Sequence, residues 1–411
     1  MSDYIQNLFA ERIGGSSFSI KGSLYKFEKI KQACREIERT HLDTPIIDLG
    51  LGKPDWMADS LVIDTFYSEA KKSKITVDDD NVILAFQKAA VQYMDKVYGV
   101  SGLDSEEEVC YCIGSKPAFM MMVEAFINPG DICLMTSPGF PMMATMTKWL
   151  GGEIYPLDLK PENSFLPDLD SIPEDICKRA KILYLNYPNN PTGAVAPPSF
   201  FKKVIEFAKE NQIIVVQDAV YGALTFDGYK PFSFLSVDGA KDVGIEIHSL
   251  SKAFNMTGWS LGFVAGNASI LKGFACVKHH NDFGQLKAMQ YAGIKALEHP
   301  EITEKTNMKY SRRHNLLVNA LSAVGFTVIK PKAGLYLYTK IPKGVEGGET
   351  FKNAEHFAQW LIKEKQISVV PWDDVGHYVR ISVTFIANTE TEELSLVQEI
   401  QKRLSGVRFL W

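Results

Sequence analysis

Cysteine is sparse in this chain. Its six thiols, Cys34, Cys110, Cys112, Cys133, Cys177 and Cys276, include no CxxC pair, which fits a reducing compartment and gives no metal site to expect. Long apolar runs are also missing, since none approaches the roughly 18 residues of a membrane span. Excess positive charge is missing too. The 44 basic residues are outnumbered by 49 acidic ones, for a net charge of −5, so no basic face advertises nucleic acid or an anionic membrane. No GxGxxG follows a strand, which leaves a nicotinamide dehydrogenase weakly supported. There is no low-complexity tract and no repeat. The first residues are polar and include Asp3 and Glu11, unlike a secretory signal. A soluble, cytoplasmic protein with small-molecule partners is expected, without nucleic acid or membrane.

What is present is enough apolar residue for a sizeable core. The 411 residues are 46% hydrophobic, enough for one large or two ordinary domains. Short apolar runs at 109–113, 131–136, 152–157, 182–186, 213–217, 244–249 and 263–266 read as strands. Helical patterns at 82–98, 116–127, 140–150 and 198–211 lie beside or between them. Alternating β and α with buried strands predicts an α/β fold: a mostly parallel sheet covered by helices on both faces. Such sheets bind ligands in the loops at the strand carboxyl ends. From residue 301 the pattern changes. A long polar helix (301–323) precedes strand-like pieces at 326–329, 334–339, 367–371 and 378–383, and a last helix at 389–404. The expected division is a large domain, 46–300, and a smaller α+β domain made of 1–45 and 301–411.

The residues that carry chemistry sit at those predicted strand ends. Lys252 follows the 244–249 strand, bracketed by Ser249, Ser251 and Thr257, with Phe254, Met256, Gly258 and Trp259 beyond. A buried lysine has the lowered pKa that imine formation needs; a solvated surface charge is the plainer alternative. Asp218 and Tyr221 follow another strand. Asp218 suits a pyridinium nitrogen, or simply caps a helix. Asn190, within Asn189-Asn190-Pro191-Thr192-Gly193, suits a phenolate oxygen, or belongs to an ordinary turn. Gly114-Ser115-Lys116 opens a helix, a natural phosphate seat or a plain N-cap. Phe140 suits stacking on an aromatic cofactor, or fills core. Arg380 suits a carboxylate clamp, or a structural ion pair.

Taken in order, Asn190-Pro191-Thr192-Gly193, Asp218-x-x-Tyr221, Ser249-x-Ser251-Lys252 and Arg380 resemble the fold-type-I pyridoxal-phosphate aminotransferases, the aspartate-aminotransferase-like fold. The stretches from Leu183 to Val195, His248 to Trp259 and Val370 to Asp374 are similar to the bacterial branch of the LL-diaminopimelate aminotransferases. The likeness runs from about Tyr25 to the last residue. It implies pyridoxal 5′-phosphate as cofactor and a homodimer. It further implies Lys252 as the imine lysine, Asp218 at the pyridine nitrogen, and Asn190 with Tyr221 at the phenolate oxygen. Ser115, Lys116, Ser249 and Ser251 would surround the phosphate. Phe140 stands where the family usually has tyrosine. Tyr25, Gly52, Lys116, Asn190, Asn281 and Arg380 would line the substrate site.

Two departures fall on the phosphate. The family's arginine eight residues past the lysine is Ser260 here. Its Arg-Gly-Tyr stretch before the helix near residue 82 reads Thr76-Val77-Asp78-Asp79-Asp80-Asn81-Val82. Asp78 then replaces a tyrosine, and Val77 and Val82 replace glycines. Each lost charge-assisted hydrogen bond costs roughly 1.5–3 kcal/mol. The resemblance implies amino transfer between an LL-diaminopimelate-like amino acid and a 2-oxo acid such as 2-oxoglutarate. Another fate of the same imine, elimination or oxidation, remains open at this level, as does a non-catalytic paralogue with impaired cofactor binding.

Overall fold

The computed structural model describes residues 4–18, 26–40, 44–72 and 80–411. Its centre is a seven-stranded sheet. From one edge to the other run Val109–Cys112, Gly262–Gly266, Gly244–Ser249, Ile214–Asp218, Ala180–Asn186, Ile132–Ser137 and Glu153–Asp158. All neighbours are parallel except Gly262–Gly266, which runs antiparallel to both of its partners. The α/β expectation holds, with strand bounds shifted by a residue or two.

Alternate side chains feed two cores, as the pleat requires. Ile182 and Tyr184 join Val216, Ile245 and Ile247 on one face, under the helices Ser115–Phe126, Met142–Trp149 and Ala268–Asn281. Leu183 and Leu185 join Val215 and Phe263 on the other, under Asp80–Tyr98, Pro198–Asn211 and Lys287–Glu298. Burial on both faces explains why these strands read as continuous apolar runs rather than alternating ones. Val82 lies buried in the first turn of Asp80–Tyr98, so a β-branched residue is accommodated there as helix. Tyr25, Thr76, Val77, Asp78 and Asp79 lie outside the described residues.

The C-terminal part forms a separate core. The long helix Ile302–Ala323 packs on Glu390–Ser405 and on the antiparallel strands Tyr336–Lys340 and Tyr378–Ser382, with Ala354–Lys365 beside them. Val370–Trp372 adds an antiparallel third strand. Ile47–Asp48 pairs in parallel with Ile367–Ser368, which brings the turn after it against the C-terminal strands. The strand-like run 326–329 is not a strand. Phe326 is buried in the core after Gly325, but Ile329 is 83% exposed, and the Thr327 carbonyl accepts from the Thr339 hydroxyl rather than from a ladder N–H.

Candidate active site

The carboxyl ends of the parallel strands place the predicted residues at one edge. In register, Asn186 lies opposite Asp218, and Asp218 opposite Ile247. A second row joins Cys112, Gly262 and Ser249. Because Gly262–Gly266 runs against its neighbours, its amino end meets their carboxyl ends. That reversal sets Ser260 beside the loop after Cys112. A Cβ built on Gly114 would lie 3.6 Å from the Ser260 Cα, and Gly114 has φ +96°, a conformation that favours glycine.

Asp218 is buried at the floor of this edge. Tyr184 Oη donates to its Oδ2 at 2.8 Å and Val220 N to its Oδ1 at 3.2 Å. Burial pushes its carboxyl up to about 7, despite these hydrogen bonds and the charge of Lys252. Asn186 Nδ2 donates to the Asp218 carbonyl, and Asn186 Oδ1 accepts from Asn190 N at 2.7 Å, so the Asn190 turn is pinned to the same strand ends. Thr192 N and Oγ1 both donate to Asn189 Oδ1, which closes that turn.

Lys252 stands in the single turn Leu250–Ala253, which Ser249 caps by accepting from Ser251 N. Thr257 Oγ1 donates to the Ser251 carbonyl. The Lys252 amine donates to the Gly52 carbonyl at 2.7 Å. Its pKa falls to about 8, first because of burial, then because Arg380 and Lys53 oppose a further positive charge. Arg380 is buried in the Tyr378–Ser382 strand. Its Nη1 donates to Asn190 Oδ1 at 2.9 Å and its Nη2 to the Gly50 carbonyl at 2.7 Å. The guanidinium lies 4.2 Å from the centre of the Tyr336 ring, and the Tyr336 hydroxyl pairs with Tyr221 Oη at 3.1 Å. Lys252, Asp218, Asn190, Tyr221, Arg380 and Gly52 are therefore joined through hydrogen bonds and neighbouring charges.

The remaining predicted residues sit around this group. Ser115 and Lys116 open the helix Ser115–Phe126, Lys116 exposed. Phe140 packs edge-on against Phe119, which packs edge-on against Tyr184; Phe140 thus reaches the Asp218 floor through two rings. Asn281 is exposed at the end of Ala268–Asn281 and donates to the Glu124 carboxylate, not to a member of the group. Sequence reasoning passed over Tyr184, Asn186, Tyr336 and Gln285. Period-two alternation puts Tyr184 on the face of Ile182 and marks it as core, without revealing its hydroxyl's partner. Gln285 Nε2 donates to the Trp259 and Ser260 carbonyls, at 2.8 and 3.1 Å, from a separate segment with no motif of its own.

Residues 44–399 match the family described as aminotransferase class I and II. The chain belongs to that family. The aminotransferase is 56% identical to the LL-diaminopimelate aminotransferase of Methanocaldococcus jannaschii, over 99% of each chain. It is 51% identical to that of Methanococcus maripaludis over the full length of both. It is 37% identical to that of Moorella thermoacetica, over 94% of this chain and 97% of the relative. Among solved structures it is similar to substrate-bound BacF from Bacillus subtilis, with a TM-score of 0.85 and 31% identity over 96% of this chain and 97% of that one. Enzymes of this class depend on pyridoxal phosphate in general. No helix among the described residues is long and apolar enough to cross a membrane.

Proposed function

We propose that this aminotransferase uses pyridoxal 5′-phosphate to move an amino group between LL-diaminopimelate and a 2-oxo acid such as 2-oxoglutarate, as a cytoplasmic homodimer. The observation that carries the chemistry is the convergence of a lysine amine, a buried carboxyl and an arginine fork on one strand-end edge. The substrate rests on the names of the full-length relatives.

The residues present suit that cofactor. Asp218 is a buried carboxyl whose pKa is about 7, so a cationic ring N–H placed against it would relieve the cost of its burial. When bound, pyridoxal phosphate supplies an aldehyde for the amine and a ring that draws electrons from the substrate's Cα. Asn190 Oδ1 is engaged by Arg380, which leaves the Asn190 amide N–H groups to donate to the ring oxygen together with Tyr221. Phe140 would stack on the ring. The backbone N–H groups at the start of Ser115–Phe126, with Ser115, Lys116, Ser249 and Ser251, would seat the phosphate. Ser260 brings no charge to that seat.

Lys252 is the proton carrier. Near neutral pH an amine with a pKa of about 8 is neutral in an appreciable fraction of molecules, and it takes the proton from the substrate Cα as general base. Arg380 orients the substrate. Its planar guanidinium, held by Asn190 and Gly50, suits a bidentate grip on the α-carboxylate. Gly52, Tyr25, Lys116 and Asn281 are assigned to the rest of the substrate site.

An absorbance titration with pyridoxal phosphate, followed by LL-diaminopimelate and 2-oxoglutarate, tests the proposal. Glutamate is expected. Release of a keto product without glutamate would overturn amino transfer.

A further inference from the structure

The 49–56 segment offers four successive carbonyls, and each accepts a hydrogen bond from a distant part of the chain. Leu49 O accepts from Ser382 N and Gly50 O from Arg380 Nη2, both at 2.7 Å. Leu51 O accepts from Thr384 Oγ1, and Gly52 O from Lys252 Nζ at 2.7 Å. The turn has no slack at Gly52, where any Cβ would strike the Tyr336 hydroxyl. Beyond it come only Lys53 and Pro54, the latter with its fixed φ, before Asp55.

Asp55 ends the segment in an ionic cluster. Both of its oxygens accept from Lys309 Nζ at 2.7 Å, and Oδ2 also accepts from Arg313 Nη2 at 2.9 Å. Arg313 Nε donates to Glu393 Oε1 at 2.8 Å, and its other nitrogens donate to the Val383, Phe385 and Ala387 carbonyls. The side chains of Asp55, Lys309, Arg313 and Glu393 are 3%, 1%, 0% and 3% exposed. At its rim Arg312 Nε donates to Glu393 Oε2 at 2.7 Å and Arg312 also pairs with Glu390, so three bases face three acids. Burying the inner four is a poor route to stability, because the desolvation cost offsets the attraction and well-packed apolar residues often do as well. What such a cluster does supply is a fixed direction: it anchors one end of a segment whose other contacts include Lys252 and Arg380.

We propose that Asp55 is a positioning residue for amino transfer: clamped by Lys309 and Arg313, it holds the Gly50 and Gly52 carbonyls where they aim the Arg380 guanidinium and the Lys252 amine. The inference rests on the roles proposed above for Lys252 and Arg380. With its carboxylate engaged by Lys309 and Arg313, Asp55 acts through the backbone of Gly50 to Gly52.

The test uses three variants of the full chain. Asp55→Asn removes the charge, Asp55→Glu keeps it but lengthens the arm, and Asp55→Asn with Lys309→Met removes one acid and one base together, and with them the Lys309 half of the clamp. Two quantities are read beside the thermal midpoint. One is the kcat and KM of the holoenzyme. The other is the pH profile of Lys252 labelling by trinitrobenzenesulfonate in the cofactor-free chain, followed by peptide mass spectrometry. Every folded variant is expected to lose kcat, by roughly a hundredfold for a displacement near 1 Å. Its Lys252 profile moves toward that of an ordinary lysine as water reaches the amine. A folded variant with wild-type kcat and an unmoved profile overturns the proposal, as does a loss of kcat that follows the thermal midpoint across the series while labelling stays unchanged. Because labelling needs no substrate, it separates this inference from the proposed function, which the wild-type glutamate assay tests alone.

Discussion

Tyr184 Oη donates a 2.8 Å hydrogen bond to Asp218 Oδ2, across adjacent parallel strands and beneath the edge where the site lies. It is one of the influences that hold the Asp218 carboxyl down against burial. Tyr184→Phe is expected to raise that carboxyl's pKa above about 7 and to weaken cofactor binding by roughly fivefold, the worth of one ordinary hydrogen bond. The loss should be larger at pH 6 than at pH 8, since the carboxyl is then more often neutral. Absorbance titrations at the two pH values check this; equal affinities for variant and wild type would remove Tyr184 from the site's support.

The same carboxyl sets a pH dependence of the cofactor-free fold. Folded Asp218 has a pKa of about 7, raised chiefly by burial, whereas an unfolded aspartate lies near 4. Between these values the folded chain keeps a proton that the unfolded chain has released. This group's contribution therefore falls as pH rises through that window and levels off above it, by a total on the order of 4 kcal/mol. Denaturant unfolding of wild type and Asp218→Asn at pH 5, 6, 7 and 8 isolates the contribution. Wild type should lose stability relative to the variant as pH rises. Cofactor, by placing a cation against Asp218, should raise the melting temperature more at pH 8 than at pH 5.

Lys252→Ala should abolish any borohydride-trappable cofactor adduct and lower turnover by at least about 10²–10⁴-fold, the usual worth of a general base. A trapped adduct that persists on this variant assigns the imine to another lysine.

Arg380→Lys keeps the charge but loses the planar fork that Asn190 and Gly50 hold. The KM for the amino donor should rise about tenfold to a hundredfold, with kcat falling less, because paired N–H donors to a carboxylate are lost. Steady-state kinetics with the donor varied gives the split; an unchanged KM moves the carboxylate elsewhere.

Ser260→Arg should tighten the cofactor by roughly tenfold to a hundredfold, one charge-assisted hydrogen bond. Ser260 has φ +55°, and arginine bears that backbone no worse than serine. Its backbone abuts Gly114 at the start of the proposed phosphate seat. Fluorescence titration of the cofactor-free chain reads the affinity. No change in the single variant would show that the side chain at 260 points away from the phosphate.

The sequence disclosed the central sheet because its strands are buried on both faces and read as apolar runs, and because their ends carry asparagine, aspartate, serine and lysine where a covered strand has no use for them. Asp218 and Lys252 were legible for that reason. Tyr184 was not, since one polar atom on a core side chain leaves no trace in periodicity. Nor was Asp55. Its partners Lys309 and Arg313 lie on a helix that reads as polar throughout, where charge ordinarily means solvent; only the packing of Ile302–Ala323 against Glu390–Ser405 turns those cations inward. The run 326–329 misled for the opposite reason: its apolar residues do not share one face, since Phe326 is buried, Val328 partly buried and Ile329 exposed.

The contacts that assemble this edge span great lengths of chain. Lys252 reaches back 200 residues to Gly52, Lys309 reaches 254 to Asp55, and Arg380 reaches 330 to Gly50. Closing such loops is entropically slow. A growing chain has made the residues of its parallel strands, all before 250, well before it owns Arg380 or Glu393. During synthesis the 49–56 turn cannot complete its contacts until Lys309 and Arg380 have been made.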